Sequence, residues 1–128
     1  MPADLQQQMR FIQKLNESDT AQRNNLYASS KRALEEKASI THQLQLAWVL
    51  ATPGHAYSNP WQAGKQLQEV LAKKGMTKDL RLFVGLRLRD IERQQQMLNR
   101  LSEAEAKIKA LTNLEHSMEE RDAEVQEP

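Results

Sequence analysis

The chain has 128 residues, of which 39% are hydrophobic, 27% charged and 5% aromatic, and its formal net charge is +1. Good helix formers such as glutamine, leucine, alanine and glutamate dominate, so the composition predicts an all-α protein. The sequence contains no cysteine, which excludes disulfides and thiolate metal sites. No stretch approaches the roughly 18 consecutive apolar residues that a membrane-spanning helix needs.

The small net charge hides an uneven distribution along the chain. Residues 73–100 carry eight basic and three acidic side chains, whereas residues 101–128 carry three basic and eight acidic ones. A basic stretch of this kind can attract nucleic acid, anionic lipid or an acidic protein surface. It is also what the solvated face of a long helix ordinarily carries.

The first predicted element is a short amphipathic helix over residues 4–15, in which Leu5, Met9 and Ile12 form an apolar stripe. The polar residues that follow are expected to cap, break or fray it. Residues 1–23 are therefore interpreted as a loosely ordered segment that precedes a helical domain over residues 24–120.

A continuous helix is predicted from residue 24 to residue 52. Its last turns, "LQLAWVLA", are apolar on most of their circumference, which predicts that this end is buried. Pro53 disfavours the helical conformation at Thr52, and Gly54 follows, so the helix is expected to end there.

The next helix is predicted to begin at Asn59. Asparagine suits the N-cap position, Pro60 fits the first helical position, and the Gln62 side chain is expected to complete a capping box. This helix is expected to end near Lys74, with Gly75 in the left-handed conformation.

A long last helix is predicted over residues 77–120, with Thr77 as its N-cap. Leu82 and Leu86 lie beside a broad apolar face, and Gly85 is expected to permit a close approach between helices. The apolar face itself is formed by Leu80, Phe83, Val84, Leu88 and Ile91.

Beyond Ile91 the apolar face narrows to a coiled-coil seam in which two positions of each heptad are apolar. Glu115 and Asp122 interrupt this seam, and residues 121–128 are expected to form a frayed acidic tail. Because the connections are short, neighbouring helices are expected to pack antiparallel, giving an all-α antiparallel bundle with a long C-terminal helix of coiled-coil character. The apolar seam residues are Met97, Leu101, Ala104, Ile108, Leu111, Met118 and Val125.

Recognisable catalytic motifs are missing from the sequence. The three histidines are scattered, and no HExxH, G-x-S-x-G, P-loop or G-x-G-x-x-G motif occurs. Adjacent carboxylates such as Glu35 and Glu36 lack the apolar surroundings that raise a catalytic pKa. The sequence therefore predicts a protein that is not an enzyme and that has no cofactor or metal site.

The twelve residues "ATPGHAYSNPWQ" (51–62) form the one stretch without helical character. Trp48 and Trp61 flank it and are expected to pack at the end of the bundle, whereas His55 and Tyr57 are expected to be exposed on a rigid corner. Protein binding through helix faces is the default function of such a chain. The predicted partner-binding residues are those of the corner and of the exposed basic face: His55, Tyr57, Trp61, Lys78, Arg81, Arg89 and Arg93.

The segment "IKALTNLEHSMEER" (108–121) resembles the C-terminal part of the QseG (YfhG) lipoproteins. These proteins are accessory partners of the QseE/GlrK sensor histidine kinase, and their long helix ends in a pattern close to L-T-x-I-E-R-x-L-x-x-R. Four positions match that pattern, and His116 stands where the family has arginine. The matching residues are Leu111, Thr112, Glu115 and Arg121. The earlier stretch "LQLAWVLATPGHAYSNPWQAGKQLQEVLA" also resembles members of the family, so the resemblance covers residues 40–121.

The resemblance implies a periplasmic helical domain that binds the sensor domain of a histidine kinase and modulates its signalling. It also implies an outer-membrane anchor through an N-terminal lipid. These 128 residues contain neither a signal peptide nor the lipid-bearing cysteine, as expected of a mature domain. Two alternatives remain open: a cytosolic coiled-coil scaffold or homo-oligomer, for which a homodimer is one form, and a nucleic-acid-associated protein. The last is least favoured, because the basic stretch has only Phe83 as an interleaved aromatic residue and shows no helix-turn-helix signature.

Overall fold

Five α-helices account for the fold in a computed structural model that describes residues 1–126 and the side chains through residue 124. No strand occurs within this range, so the predicted all-α class is confirmed. The helices are α1 (Ala3–Asn16), α2 (Thr20–Glu36), α3 (Ile40–Ala51), α4 (Pro60–Leu71) and α5 (Lys78–Gln126).

Contacts within the chain divide it into two units. The first, Met1–Gln95, is a bundle formed by α1 to α4 and the beginning of α5. The second, from Gln96 onwards, consists of the rest of α5. This helix was expected to end near residue 120 but continues through Gln126, and the last two residues of the predicted frayed tail lie outside the described residues.

The centre of the Met1–Gln95 bundle is α3, which packs against α1, α2 and α4. Its apolar circumference explains this position, since Leu44, Ala47, Trp48 and Val49 are all buried. A helix that is hydrophobic on every side has to be covered on every side. The Trp48 indole N–H donates to Oε1 of the buried Gln8 at 2.9 Å, so α1 supplies the one polar contact that this indole needs.

Hydrogen bonds at both ends of α3 and α4 establish that the two helices are antiparallel. Near the start of α3, the Gln43 amide donates to Glu69, close to the end of α4, at 3.0 Å. At the opposite end, the Asn59 N–H donates to the Leu50 carbonyl at 2.7 Å. The predicted antiparallel packing is therefore confirmed for this pair.

The pair α4 and α5 is antiparallel in the same way. Arg81, in the first turn of α5, donates to the Leu71 carbonyl at the end of α4 at 2.7 Å. Gln95, four turns later, donates to the Pro60 carbonyl at the start of α4 at 2.8 Å. The Arg81 contact caps a carbonyl that the end of α4 leaves without a partner within the helix.

The prediction of one helix from residue 24 to 52 is wrong. Two helices occupy this range, because the backbone is extended at Lys37 and Ser39 between α2 and α3. The Ser39 hydroxyl accepts a hydrogen bond from the His42 N–H at 3.1 Å, which is the geometry of an N-cap. The surrounding residues are such good helix formers that the single serine is easily overlooked in the sequence.

The polar stretch after α1 contains the end of one helix and the start of the next. α2 begins at Thr20 with a complete capping box, in which the Asp19 carboxylate accepts from the Gln22 N–H at 2.8 Å and the Gln22 side chain accepts from the Asp19 N–H at 2.9 Å. Asp19 and Gln22 are thus the reciprocal pair that defines an N-terminus.

Two expectations about local contacts around α4 and α5 are also wrong. Gly85 was expected to permit close packing, yet a Cβ added there would meet nothing within 4 Å. The close approach occurs at Gly64 instead, where an added Cβ would lie 2.9 Å from the Gln95 side-chain nitrogen. Asn59 does cap α4 by accepting from the Gln62 N–H, but its own N–H donates to Leu50, so the Gln62 side chain is not needed for a capping box.

Candidate interaction surfaces

The seven predicted partner-binding residues fall into two groups within Met1–Gln95. His55, Tyr57 and Trp61 lie in or just after the corner, defined as residues 52–59 between α3 and α4. The remaining four, Lys78, Arg81, Arg89 and Arg93, lie on α5.

The corner is held rigidly by contacts to α2 and α3. Arg23 donates to the Pro53 carbonyl at 2.8 Å, and the Asn24 side chain accepts from the Ala56 N–H at 3.1 Å. Gly54 has a φ of 80°, which favours glycine. The absence of a Cβ also leaves room for the Arg23 guanidinium, because a Cβ added at Gly54 would lie 2.9 Å from one of its terminal nitrogens. The predicted rigid corner is present, and α2 supplies much of its support.

His55 has both ring nitrogens occupied inside the corner. Nε2 lies 2.8 Å from the Val49 carbonyl, which can only accept, so the proton is on Nε2. Nδ1 is then free to accept from the Tyr57 N–H at 3.2 Å. The expectation that His55 is exposed is wrong, since the side chain is half-buried and supports the turn that carries Tyr57.

Tyr57 is exposed on one edge while its ring stacks on Tyr27 of α2, with ring centroids 4.1 Å apart and planes inclined by 7°. The two tyrosines line a shallow depression between α2, α3 and α4, together with Lys31 and the polar side chains of Gln62 and Gln66. Trp61 was expected to pack at the end of the bundle. This is wrong, because half of its surface is exposed, whereas Trp48 is buried as expected.

A second surface lies on α5, on the side opposite the core. Leu82 and Leu86 are 65% and 51% exposed. At about 3.6 residues per turn they share one side of the helix with Lys78, Arg89 and Arg93. All three basic side chains are exposed. We call these five residues the Leu82 face.

Arg81 does not belong to the Leu82 face, although the sequence grouped it with the other basic residues. Its two terminal nitrogens donate to the carbonyls of Leu71 and Lys73 at 2.7 and 2.8 Å. The guanidinium therefore caps the end of α4, where a cation is also favoured by the helix dipole. Arg93, in contrast, makes only a long contact of 3.8 Å to the exposed Asp90.

Sequence reasoning missed Leu82 and Leu86 as members of an exposed surface. It placed them beside the core face, because they interleave with Leu80, Val84 and Leu88, which are buried. The spacing of these residues in the sequence nevertheless indicates that they lie on a second side of the helix. Residues 82, 86, 89 and 93 recur at intervals of four, three and four, which defines a second stripe on the far side of the helix.

The start of α5 is fixed by a carboxylate from α1. Asp4 accepts from the Thr77 N–H at 3.0 Å and from the Thr77 hydroxyl at 2.8 Å, while the same hydroxyl caps α5 by accepting from the Leu80 N–H. Burial acts to raise the pKa of Asp4, but the hydrogen bonds from Thr77 and Leu5 outweigh it and hold that pKa below its ordinary value.

A groove between α1 and α5 has a volume of about 550 Å³ and is lined by Met9, Ile12, Phe83, Arg10 and Arg87. The Nε of Arg87 is buried there and has no hydrogen-bond partner among the described residues. The groove adds a further mixed apolar and basic surface, on a side of α5 different from that of Leu82.

The part of the chain that the structure describes contains no group of three side chains able to hold a metal ion. None of its helices combines the length and apolarity needed to cross a membrane. Comparisons with protein-family models, with curated proteins and with solved structures found no match to this chain.

Proposed function

We propose that this chain is a non-enzymatic interaction protein that binds another protein through the Leu82 face. The observation that carries the proposal is that two exposed leucines share one side of a helix with three exposed cations, none of which has an ion pair shorter than 3.8 Å among the described residues. Apolar side chains at the centre and charges at the rim are the usual arrangement of a protein-binding patch. Gly85, between the leucines, lets a partner approach the helix backbone.

The chemistry of the patch defines the partner that it fits. Leu82 and Leu86 require an apolar groove or helix face, and Lys78, Arg89 and Arg93 require acidic side chains around it. The rigid corner with Tyr57 and Trp61 offers a second, smaller contact on α4 and its approach. His55 contributes by fixing the turn that presents Tyr57.

The resemblance to the QseG (YfhG) lipoproteins supplies a specific partner for the proposal, the periplasmic sensor domain of a two-component histidine kinase. In that role the chain resides in the periplasm, tethered to the outer membrane by an N-terminal lipid. It modulates signalling by binding one conformation of the kinase more tightly than the other, because only differential affinity shifts a conformational equilibrium.

Binding of the purified chain to the periplasmic domain of the sensor kinase tests this function. We expect Leu82→Gln/Leu86→Gln to weaken binding about tenfold or more, since it removes the apolar centre without changing charge or helix propensity. Tyr57→Ser/Trp61→Ser is the matched variant at the corner and is expected to have the smaller effect. Both variants should retain the far-ultraviolet circular dichroism of the native chain, because each of the four side chains is about half exposed or more and none lies in the core.

Three outcomes overturn parts of the proposal. Undetectable binding of the native chain at roughly tens of micromolar rejects the kinase as the partner. A loss confined to Tyr57→Ser/Trp61→Ser moves the contact from the Leu82 face to the corner. Binding to nucleic acid that falls steeply with salt, and that Arg89→Glu/Arg93→Glu abolishes, replaces the protein partner with a phosphate backbone.

A further inference from the structure

The second unit is a single helix that carries an apolar stripe of its own. Every described side chain from Gln96 to Glu124 is exposed, including five large apolar residues of the predicted seam that are 55–69% exposed. A single helix in water gains little from propensity alone, and most helices in proteins are stabilised by packing of an apolar face. Those five residues are Met97, Leu101, Ile108, Leu111 and Met118.

We propose that this segment pairs with the same segment of a second copy of the chain, as a parallel, in-register, two-stranded coiled coil. The inference is independent of the kinase and of the Leu82 face, because it concerns only the helix from Gln96 onwards. At about 1.5 Å per residue the described segment is about 45 Å long, which accommodates four heptads.

The seam provides the apolar layers of such a pair. Leu101 and Ile108 occupy the a positions, and Met97, Ala104 and Leu111 occupy the d positions, so residues 97–111 form an uninterrupted apolar stripe. Ile108 at a followed by Leu111 at d is the combination that favours two strands over three or four.

The charges beside the seam select the orientation. On one flank, the g positions carry Arg100, Lys107 and Arg121, and on the other, the e positions carry Glu105 and Glu119. In a parallel pair each g flank faces the e flank of the other helix, so that Arg100 of one copy lies opposite Glu105 of the second. In an antiparallel pair g faces g and e faces e, which brings like charges together on both sides.

The same pattern argues for a second copy as the occupant. In a parallel pair of identical helices the Arg100–Glu105 pair forms once on each flank, and the next g position, Lys107, faces the uncharged Thr112, so no like charges meet there. Glu115 and Asp122 stand at a positions and meet their own copies in a parallel pair. This repulsion weakens the C-terminal end, so residues 97–111 hold the dimer together.

Sedimentation equilibrium of the full chain across a concentration series tests the pairing. We expect a concentration-dependent dimer of the 14.7 kDa chain, which Ile108→Gln/Leu111→Gln weakens by about tenfold or more, since it removes one a layer and one d layer. The control Ala106→Gln/Ala110→Gln places the same side chain on the opposite side of the helix and leaves the association unchanged. A native chain that stays monomeric, or that forms a trimer, overturns the proposal.

Orientation is tested with single cysteines, because the chain has none of its own. In a parallel, in-register pair Ala104→Cys faces its own copy and oxidises to a disulfide-linked dimer, whereas Ala106→Cys, which points away, does not. An antiparallel pair matches d positions with a positions, so a dimer in which Ala104→Cys fails to cross-link contradicts the parallel arrangement.

Charge exchange gives an independent readout of orientation. Arg100→Glu or Glu105→Arg alone is expected to weaken the parallel dimer, and the double variant Arg100→Glu/Glu105→Arg is expected to restore it, since the opposite pairs are re-formed with reversed sign. In an antiparallel dimer Arg100→Glu would relieve repulsion and strengthen association. Native dimers that bind no kinase would reject the proposed function and leave this inference intact.

Discussion

The two parts of α5 have similar apolar periodicity but differ in what covers their apolar residues. Between Lys78 and Gln95, Leu80, Val84, Leu88 and Ile91 are buried against the bundle. Between Gln96 and Glu124, apolar residues at comparable spacing are all exposed. A hydrophobic stripe therefore identifies the side of a helix that needs a partner, but it does not say whether the partner lies in the same chain.

A second difference concerns the side of α5 away from the core. In the first part that side carries Leu82 and Leu86 among cations. In the second part the side opposite the seam is polar, with small alanines such as Ala106 and Ala110. The first part of α5 has two apolar sides, one of them satisfied by the bundle, whereas the second part has one apolar side that its own unit leaves uncovered.

The same substitution made in each part of α5 gives the clearest test of the difference between its buried and its exposed apolar residues. Leu80 is 2% exposed and Leu111 is 60% exposed. We expect Leu80→Ala to lower the free energy of unfolding of the bundle by about 2–4 kcal/mol, because it leaves a cavity in a packed core. Leu111→Ala should leave the bundle unfolding transition within about 0.5 kcal/mol. Urea denaturation followed by tryptophan fluorescence, in which the buried Trp48 reports on the core, measures both.

The concentration dependence of the helix signal separates a local effect from an effect on pairing. At concentrations where the native dimer persists but the weaker dimer of Leu111→Ala dissociates, the variant should have the lower helix content. The tryptophan transition should not move. If Leu111→Ala shifted that transition as far as Leu80→Ala does, the contrast between the two parts of α5 would be incorrect.

Local signals made the helix ends near the corner predictable. Asn59 and Pro60 specify the start of α4 through their own backbone chemistry, and Thr77 does the same for α5. The break at Ser39 rests on the same kind of signal. It was missed because one capping serine lies between two segments of strong helix formers, and a summed propensity does not detect it.

Contacts between distant parts of the chain were not predictable from the sequence. The stacking of Tyr57 on Tyr27, thirty residues away, depends on where α2 ends up relative to the corner. Arg81 was grouped with other cations by position alone, whereas the carbonyls at the end of α4 determine what it binds. The candidate surface on α5 thus kept Lys78, Arg89 and Arg93, lost Arg81 and gained two leucines.

A pair of glycine substitutions tests the two sides of α5 within the bundle. Gly85→Ala should raise the free energy of unfolding by about 1 kcal/mol, because it gains helix propensity and the new methyl group meets no atom within 4 Å. Gly64→Ala gains the same propensity but places its Cβ 2.9 Å from the Gln95 nitrogen, which has to give up its hydrogen bond to Pro60. Thermal unfolding should therefore rank Gly85→Ala above the native chain and Gly64→Ala below Gly85→Ala. Equal stabilisation by both would mean that α4 and α5 do not approach closely at Gly64.

Low pH is expected to lower the free energy of unfolding, because protonation of Asp4 weakens its hydrogen bonds to the start of α5. The folded pKa of Asp4 lies below its unfolded value, because hydrogen bonds from Thr77 outweigh the effect of burial. Its stabilising contribution is therefore complete above an ordinary aspartate pKa of about 4 and is lost as the pH falls through the lowered folded pKa.

Asp4→Asn should cost at most about 1 kcal/mol at neutral pH, since the pair is partly exposed and screened by water. Below about pH 4, the stability of Asp4→Asn should fall less steeply than that of the native chain. The reason is that the variant lacks the carboxylate that the unfolded native chain protonates more readily than the folded one. The control Asp90→Asn, on an exposed residue of α5, should retain the native slope. An unchanged slope in Asp4→Asn would remove Asp4 as the group that couples α1 to α5.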